Sequence, residues 1–255
     1  MSDDLTVHPF DERLVRYFVA MILGNGTASV APDDASWPQR VQTVRQDALA
    51  RALSGDETGA NAVTFAFART LASLHPTFVL PNATFTPWET RIDRGLGMLL
   101  RPPSRLFGDA GLPTAAARAM PIRLDVGTGR MGGAYVPARL VPELARLLDS
   151  KRARLLRRLD AAELDAVTLL GHLMIATAYA ADHHLALFEA SGVVTPGAPE
   201  ADPPGTHAIF PNRRSLDPQM RRQLEEAARP PKSPGLASRL LGGRRLRRQT
   251  PVVED

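Results

Sequence analysis

Cysteine is missing from all 255 residues, which excludes disulfide bridges, thiolate catalysis and thiolate-ligated zinc. This fits a reducing compartment, and a cytoplasmic location is expected. Lysine is nearly missing too: Lys151 and Lys232 stand alone among 31 basic residues, so the cationic charge is carried by planar guanidinium forks. Aromatic residues make up 5%, so the core must rest on leucine, alanine, valine and methionine. No apolar run is long enough for a membrane. The longest, Ala166 to Ala181, spans sixteen residues, is interrupted by His172 and is bounded by Asp165 and Asp182; a span needs roughly 20. A buried helix is expected there. The start, Met1-Ser2-Asp3-Asp4, is acidic and lacks the basic-then-apolar order of a secretion signal. No internal repeat is visible.

Charge of one sign, by contrast, is concentrated at one end. Asn212 to Asp255 holds eleven basic and five acidic residues, whereas the whole chain is +4. Arg239, Arg244, Arg245, Arg247 and Arg248 crowd together there, interleaved with Leu240, Leu241 and Leu246. Such a block reads as a solvated arm for a polyanion or an anionic surface.

Helical signals dominate the rest. Helices are expected over Asp11–Leu23, from Pro38 to Ser54 (with Val41, Val44, Ala48, Leu49 and Ala52 at helical spacing), over Asn61–Leu74 and over Trp88–Leu100. Further helices are expected over Pro142–Leu159 and Ala161–Ser191, the second apolar nearly all round and therefore central. Ile122, Leu124 and Val126 alternate with Arg123 and Asp125 as a strand would. The glycine-rich turn Gly127–Gly133 follows, and Ala134-Tyr135-Val136 is the candidate return strand. Pro196, Pro199, Pro203 and Pro204 mark a stiff connector, with a short surface helix at Leu216–Ala228. The expected fold is mainly α. A multi-helix domain spans 1–195 with a candidate β-hairpin at 121–137. A proline-rich connector spans 196–235, and a basic disordered tail spans 236–255.

Four segments invite chemical readings. A glycine turn after a strand lets backbone amides approach a ligand. Leu124-Asp125-Val126-Gly127-Thr128-Gly129 resembles the first motif of S-adenosylmethionine-dependent methyltransferases, which would make Asp125, Gly127 and Gly129 cofactor contacts. Leu164–Leu170 and Val193–Gly197 resemble later pieces of that family. The acidic residue at the distance where ribose would be bound is Asp149, inside an expected helix, and a tight hairpin turn is the preferred reading. His8-Pro9-Phe10-Asp11-Glu12 resembles the start of the AMP-transferring Fic motif, but the Gly-Asn-Gly that would follow comes only at Gly24-Asn25-Gly26. His172, Tyr179 and His183 share one helix face with Asp165; a di-iron bundle would pair each histidine with a glutamate three residues earlier, where Leu169 and Ala180 stand. A polar contact inside a core or interface is expected of them. Leu99–Phe107 mixes leucine with Arg101 and Arg105, as the tail does.

The function expected is a non-enzymatic binding or adaptor module. Arg239, Arg244, Arg245, Arg247 and Arg248 would contact a nucleic acid, an anionic membrane surface or an acidic protein, with self-association as a further option. No cofactor, metal or catalytic residue is expected. The alternative is a divergent methyltransferase-like enzyme using Asp125, Gly127 and Gly129.

Overall fold

The computed structural model describes residues 5–25, 37–80, 93–120, 132–194 and 207–229. The expectation of a mainly α domain with one hairpin is overturned by a five-stranded mixed sheet at its centre, in the order β3-β4-β1-β2-β5. The strands are β1 (Leu5–Phe10), β2 (Thr77–Leu80), β3 (Gly132–Val136), β4 (Ala186–Ser191) and β5 (Ala208–Ile209). Strand β1 pairs antiparallel with β2 and β4, β4 pairs antiparallel with β3, and β5 joins β2 in parallel. Ala134-Tyr135-Val136 is indeed a strand, but its partner is β4, about fifty residues on; the other half of the expected hairpin, 122–126, lies outside the described residues.

Among the described residues, eleven helices flank the sheet: α1 (Arg13–Leu23), α2 (Trp37–Asp47), α3 (Leu49–Leu53), α4 (Glu57–Leu71), α5 (Arg94–Gly97), α6 (Pro103–Asp109), α7 (Thr114–Arg118), α8 (Val141–Ser150), α9 (Arg152–Asp160), α10 (Ala166–Asp182) and α11 (Pro218–Ala228). They form two outer layers. One core joins Leu5, Val7, Phe78 and Leu187 of the sheet to Leu144, Leu156, Leu170 and Leu224 of α8–α11. The other joins Phe10, Phe188 and Ala190 to Phe18, Phe67 and Phe107 of α1, α4 and α6. In β1, β3 and β4 alternate residues enter opposite cores, the period of two that a pleated strand imposes.

This double burial explains the misreading. Strands β1 and β4 are buried at every position, polar Thr6, His8, Glu189 and Ser191 included, so neither has a solvent face for its polar residues to mark, and so short a segment does not differ clearly in pattern from buried helix. The helix expected over Ala161–Ser191 therefore contains both α10 and β4. Its stop lies at His183 and His184. The His183 ring donates Nδ1–H to the Tyr179 carbonyl at 2.8 Å, and His184 takes a left-handed φ of 56°. Asp165 begins α10 as its cap, accepting from Thr168 N–H at 3.2 Å and from the Thr168 hydroxyl at 2.7 Å. The helix expected over Pro142–Leu159 breaks at Lys151 (φ −103°, ψ 9°) into α8 and α9.

Five phenylalanines organise the α1–α4 side. Phe67 stands 5.2–5.8 Å, centroid to centroid, from Phe10, Phe18, Phe107 and Phe188, at the tilted and edge-on angles aromatic pairs favour. Five of the chain's fourteen aromatic residues are thus gathered at one place.

Candidate anion-binding face

Leu155, Leu156 and Leu159 of α9 are fully buried, which turns Arg154, Arg157 and Arg158 to the exposed side. Helix α11 does the same through Leu224, leaving Arg222 exposed. The two helices pack side by side, tied by Arg152 Nη1–H donating to Gln223 Oε1 at 3.0 Å. Segments 141–160 and 207–229, far apart in sequence, become one surface. Together they hold eleven basic and six acidic residues.

Part of this charge is neutralised locally. Glu143 pairs with Arg146 and Asp149 with Arg152, and Glu225 pairs with Arg213 at 3.0 Å. Asp93 is 2% exposed and takes Lys151 at 2.7 Å and Arg154 at 3.7 Å. Burial pushes its carboxyl up, but Lys151, the Gly95 N–H and Arg154 together hold it below the ordinary aspartate value. Arg157, Arg214, Arg221, Arg222 and Arg229 have no carboxylate partner among the described residues. Such guanidinium groups can take phosphate, carboxylate or sulfate in bidentate fashion.

The residues singled out from sequence fare differently. Arg239, Arg244, Arg245, Arg247 and Arg248 lie outside the described residues, as do Asp125, Gly127 and Gly129. Helix α11 ends at Ala228, and ten residues separate it from that arginine block in sequence. The leucines of Leu99–Phe107 face inward, and Arg101 folds back on its own chain, donating to the carbonyls of Met98 at 2.7 Å and Leu100 at 2.8 Å.

His8, His172 and His183 are tied into the fold by hydrogen bonds. His172 is 2% exposed and donates Nε2–H to the Ile209 carbonyl at 2.9 Å, fastening β5 to α10; burial lowers its pKa, against the pull of that hydrogen bond. His183 stacks on Tyr179 at 4.2 Å. His8, of the Fic-like segment, is 1% exposed inside β1, where desolvation lowers its pKa to about 3. Among the described residues no three histidine or carboxylate side chains are grouped to hold a metal, and no helix is long and apolar enough to cross a membrane.

Comparison with protein-family models, curated proteins and solved structures finds no match. The largely outward placement of Arg146, Arg152, Arg154, Arg157 and Arg158 on the expected helix 142–159 is legible in the sequence, but their meeting with 207–229 is not, because the two stretches lie far apart.

Proposed function

We propose that the protein is a non-enzymatic binding module that attaches to an anionic partner through the α8–α9–α11 surface and the arginine block at 239–248. The observation that supports this reading is the packing of α9 on α11, which joins two basic segments; in sequence the arginine block follows the second of them. Residues outside 141–160 and 207–255 hold fourteen basic and nineteen acidic residues, so the charge is segregated rather than merely high. Segregated charge steers association with polyanions and orients the complex. No observation favours the methyltransferase reading: β1 to β4 run antiparallel, whereas doubly wound nucleotide-binding sheets are mostly parallel.

The test compares the full chain with a version ending at Arg229, measured against duplex DNA, RNA and anionic vesicles at low and near-physiological salt. An earlier end would remove Leu216 and Leu224 from the core. Binding of one anion class that weakens steeply with salt supports the proposal and names the partner. Absence of binding to all three at low salt removes it.

A further inference from the structure

On the opposite layer, a cleft of about 280 Å³ lies at the start of α1, lined by Glu12, Arg13, Arg16, Leu106, Asp109 and Tyr135 among others. A second hollow, about 440 Å³, shares Arg13 and Arg16 and runs over Leu14 and Tyr17. Much of the charge here is already matched. Arg13 donates to Asp11 Oδ2 at 2.8 Å, and Arg105 stands 3.9 Å from Asp109.

Glu12 and Arg16 are different. They sit four positions apart on one turn, a spacing at which opposite charges usually meet, yet they form no ion pair with each other or with any other described residue. Glu12 does not cap its own helix. It receives the Ala138 N–H instead, and burial raises its pKa, against that bond and the attraction of the Arg139 guanidinium. Behind them, Tyr135 is 5% exposed. Its backbone is fixed by paired hydrogen bonds with Arg101 at 2.8 and 2.9 Å. Its hydroxyl has no hydrogen-bond partner among the described residues, and the residue lines the cleft.

We propose that this cleft binds a small zwitterion, its ammonium held by the Glu12 carboxylate and the Tyr135 oxygen and its anionic head by Arg16. A simple anion would meet the carboxylates of Glu12 and Asp109, and a simple cation would meet Arg13 and Arg16. A molecule with both heads satisfies both halves of the lining. The volume lies at the lower end of the range for ligand sites, which points to a small amino acid or amino-phosphate rather than a nucleotide.

The experiment is a thermal-shift and calorimetric screen of the full chain with glycine, γ-aminobutyrate and O-phosphoethanolamine, beside butylamine and butyrate as single-headed controls. At least one zwitterion should raise the melting midpoint by a few degrees at saturating concentration, with no shift from either control. The preferred anionic head separates carboxylate from phosphate. Glu12→Gln and Arg16→Gln, both at the rim, should melt as the parent does without ligand and lose tenfold or more in affinity. Tyr135→Phe should lose less. The proposal is overturned if no zwitterion binds, if the controls bind as well, or if both glutamine variants keep the parent affinity.

Discussion

His8 Nδ1 lies 3.2 Å from Thr77 Oγ1, across the pair of strands β1 and β2. Its other nitrogen, Nε2, lies 2.8 Å from Thr6 Oγ1, and the Thr6 hydroxyl donates to the Ala190 carbonyl at 2.9 Å. A hydroxyl has one proton to give, so Thr6 accepts from His8 and Nε2 carries the hydrogen. Nδ1 then accepts from Thr77. The neutral ring completes a chain of hydrogen bonds from β2 through β1 to β4, in which both ring nitrogens and both hydroxyls are partnered.

Acid should therefore weaken the fold early. His8 is neutral when folded down to about 3, against an ordinary 6.5. Above 6.5 both states are neutral and nothing changes. Below it the unfolded chain binds a proton that the folded one refuses, so stability falls with falling pH, by about 2 kcal/mol at pH 5. His75 and His172 are shifted in the same direction by burial. Urea midpoints at pH 8, 6.5 and 5 should decline only in the acid half, and the slope should flatten in His8→Asn. A midpoint constant from pH 8 to 5 would contradict the buried neutral ring.

Gly133→Ala should be costly. A methyl there would lie 2.8 Å from Glu189 Cδ, and Glu189, 1% exposed, accepts the Ala134 N–H at 2.9 Å beside the β3–β4 bulge. Displacing that carboxylate strains the core and breaks the bond, for about 2–3 kcal/mol. Thermal melting should show a drop of roughly 4–12 °C.

Phe67→Ala removes the hub of the five-ring cluster and leaves a cavity among four other buried rings. A loss of about 3–5 kcal/mol is expected, measurable as a lower denaturant midpoint. Leu53→Ala, at an exposed position, should change it little and serves as the control.

His172→Phe keeps an aromatic ring, slightly larger than imidazole, but deletes the donor to Ile209. About 1 kcal/mol of global stability should be lost, with a larger local effect. Amide exchange should quicken over 207–209, because β5 is a two-residue edge strand held by β2 on one side and by this hydrogen bond.

Salt should separate the two parts of the basic surface. If the partner is a duplex, every phosphate neutralised by residues 230–255 adds about 0.9 to the slope of log affinity against log salt. The version ending at Arg229 should keep a shallower but nonzero slope from α9 and α11.

Several elements were legible along the chain. The end of α1 was marked by Gly24, which takes φ 79° and caps the helix. The spacing of Val41, Val44, Ala48 and Ala52 gave the face of α2–α3 that is buried. Pro9 in β1 was not legible as a strand residue; it is tolerated because β2 pairs with Leu5 to Val7 and stops before it. Nor was the cleft, whose residues come from α1, α6 and β3.

By itself the sequence determined the helical content, the arginine bias, the lack of any disulfide and the gathering of positive charge at one end, since these follow from composition and from interactions within a few residues. Tertiary structure alone decided the sheet. Its strands pair residues as far apart as Leu5 and Ser191, and burial on both faces leaves no solvent side for their polar residues to mark. It also decided which arginines stand together and which tyrosine faces a cleft, because side-chain environment depends on neighbours that only folding supplies.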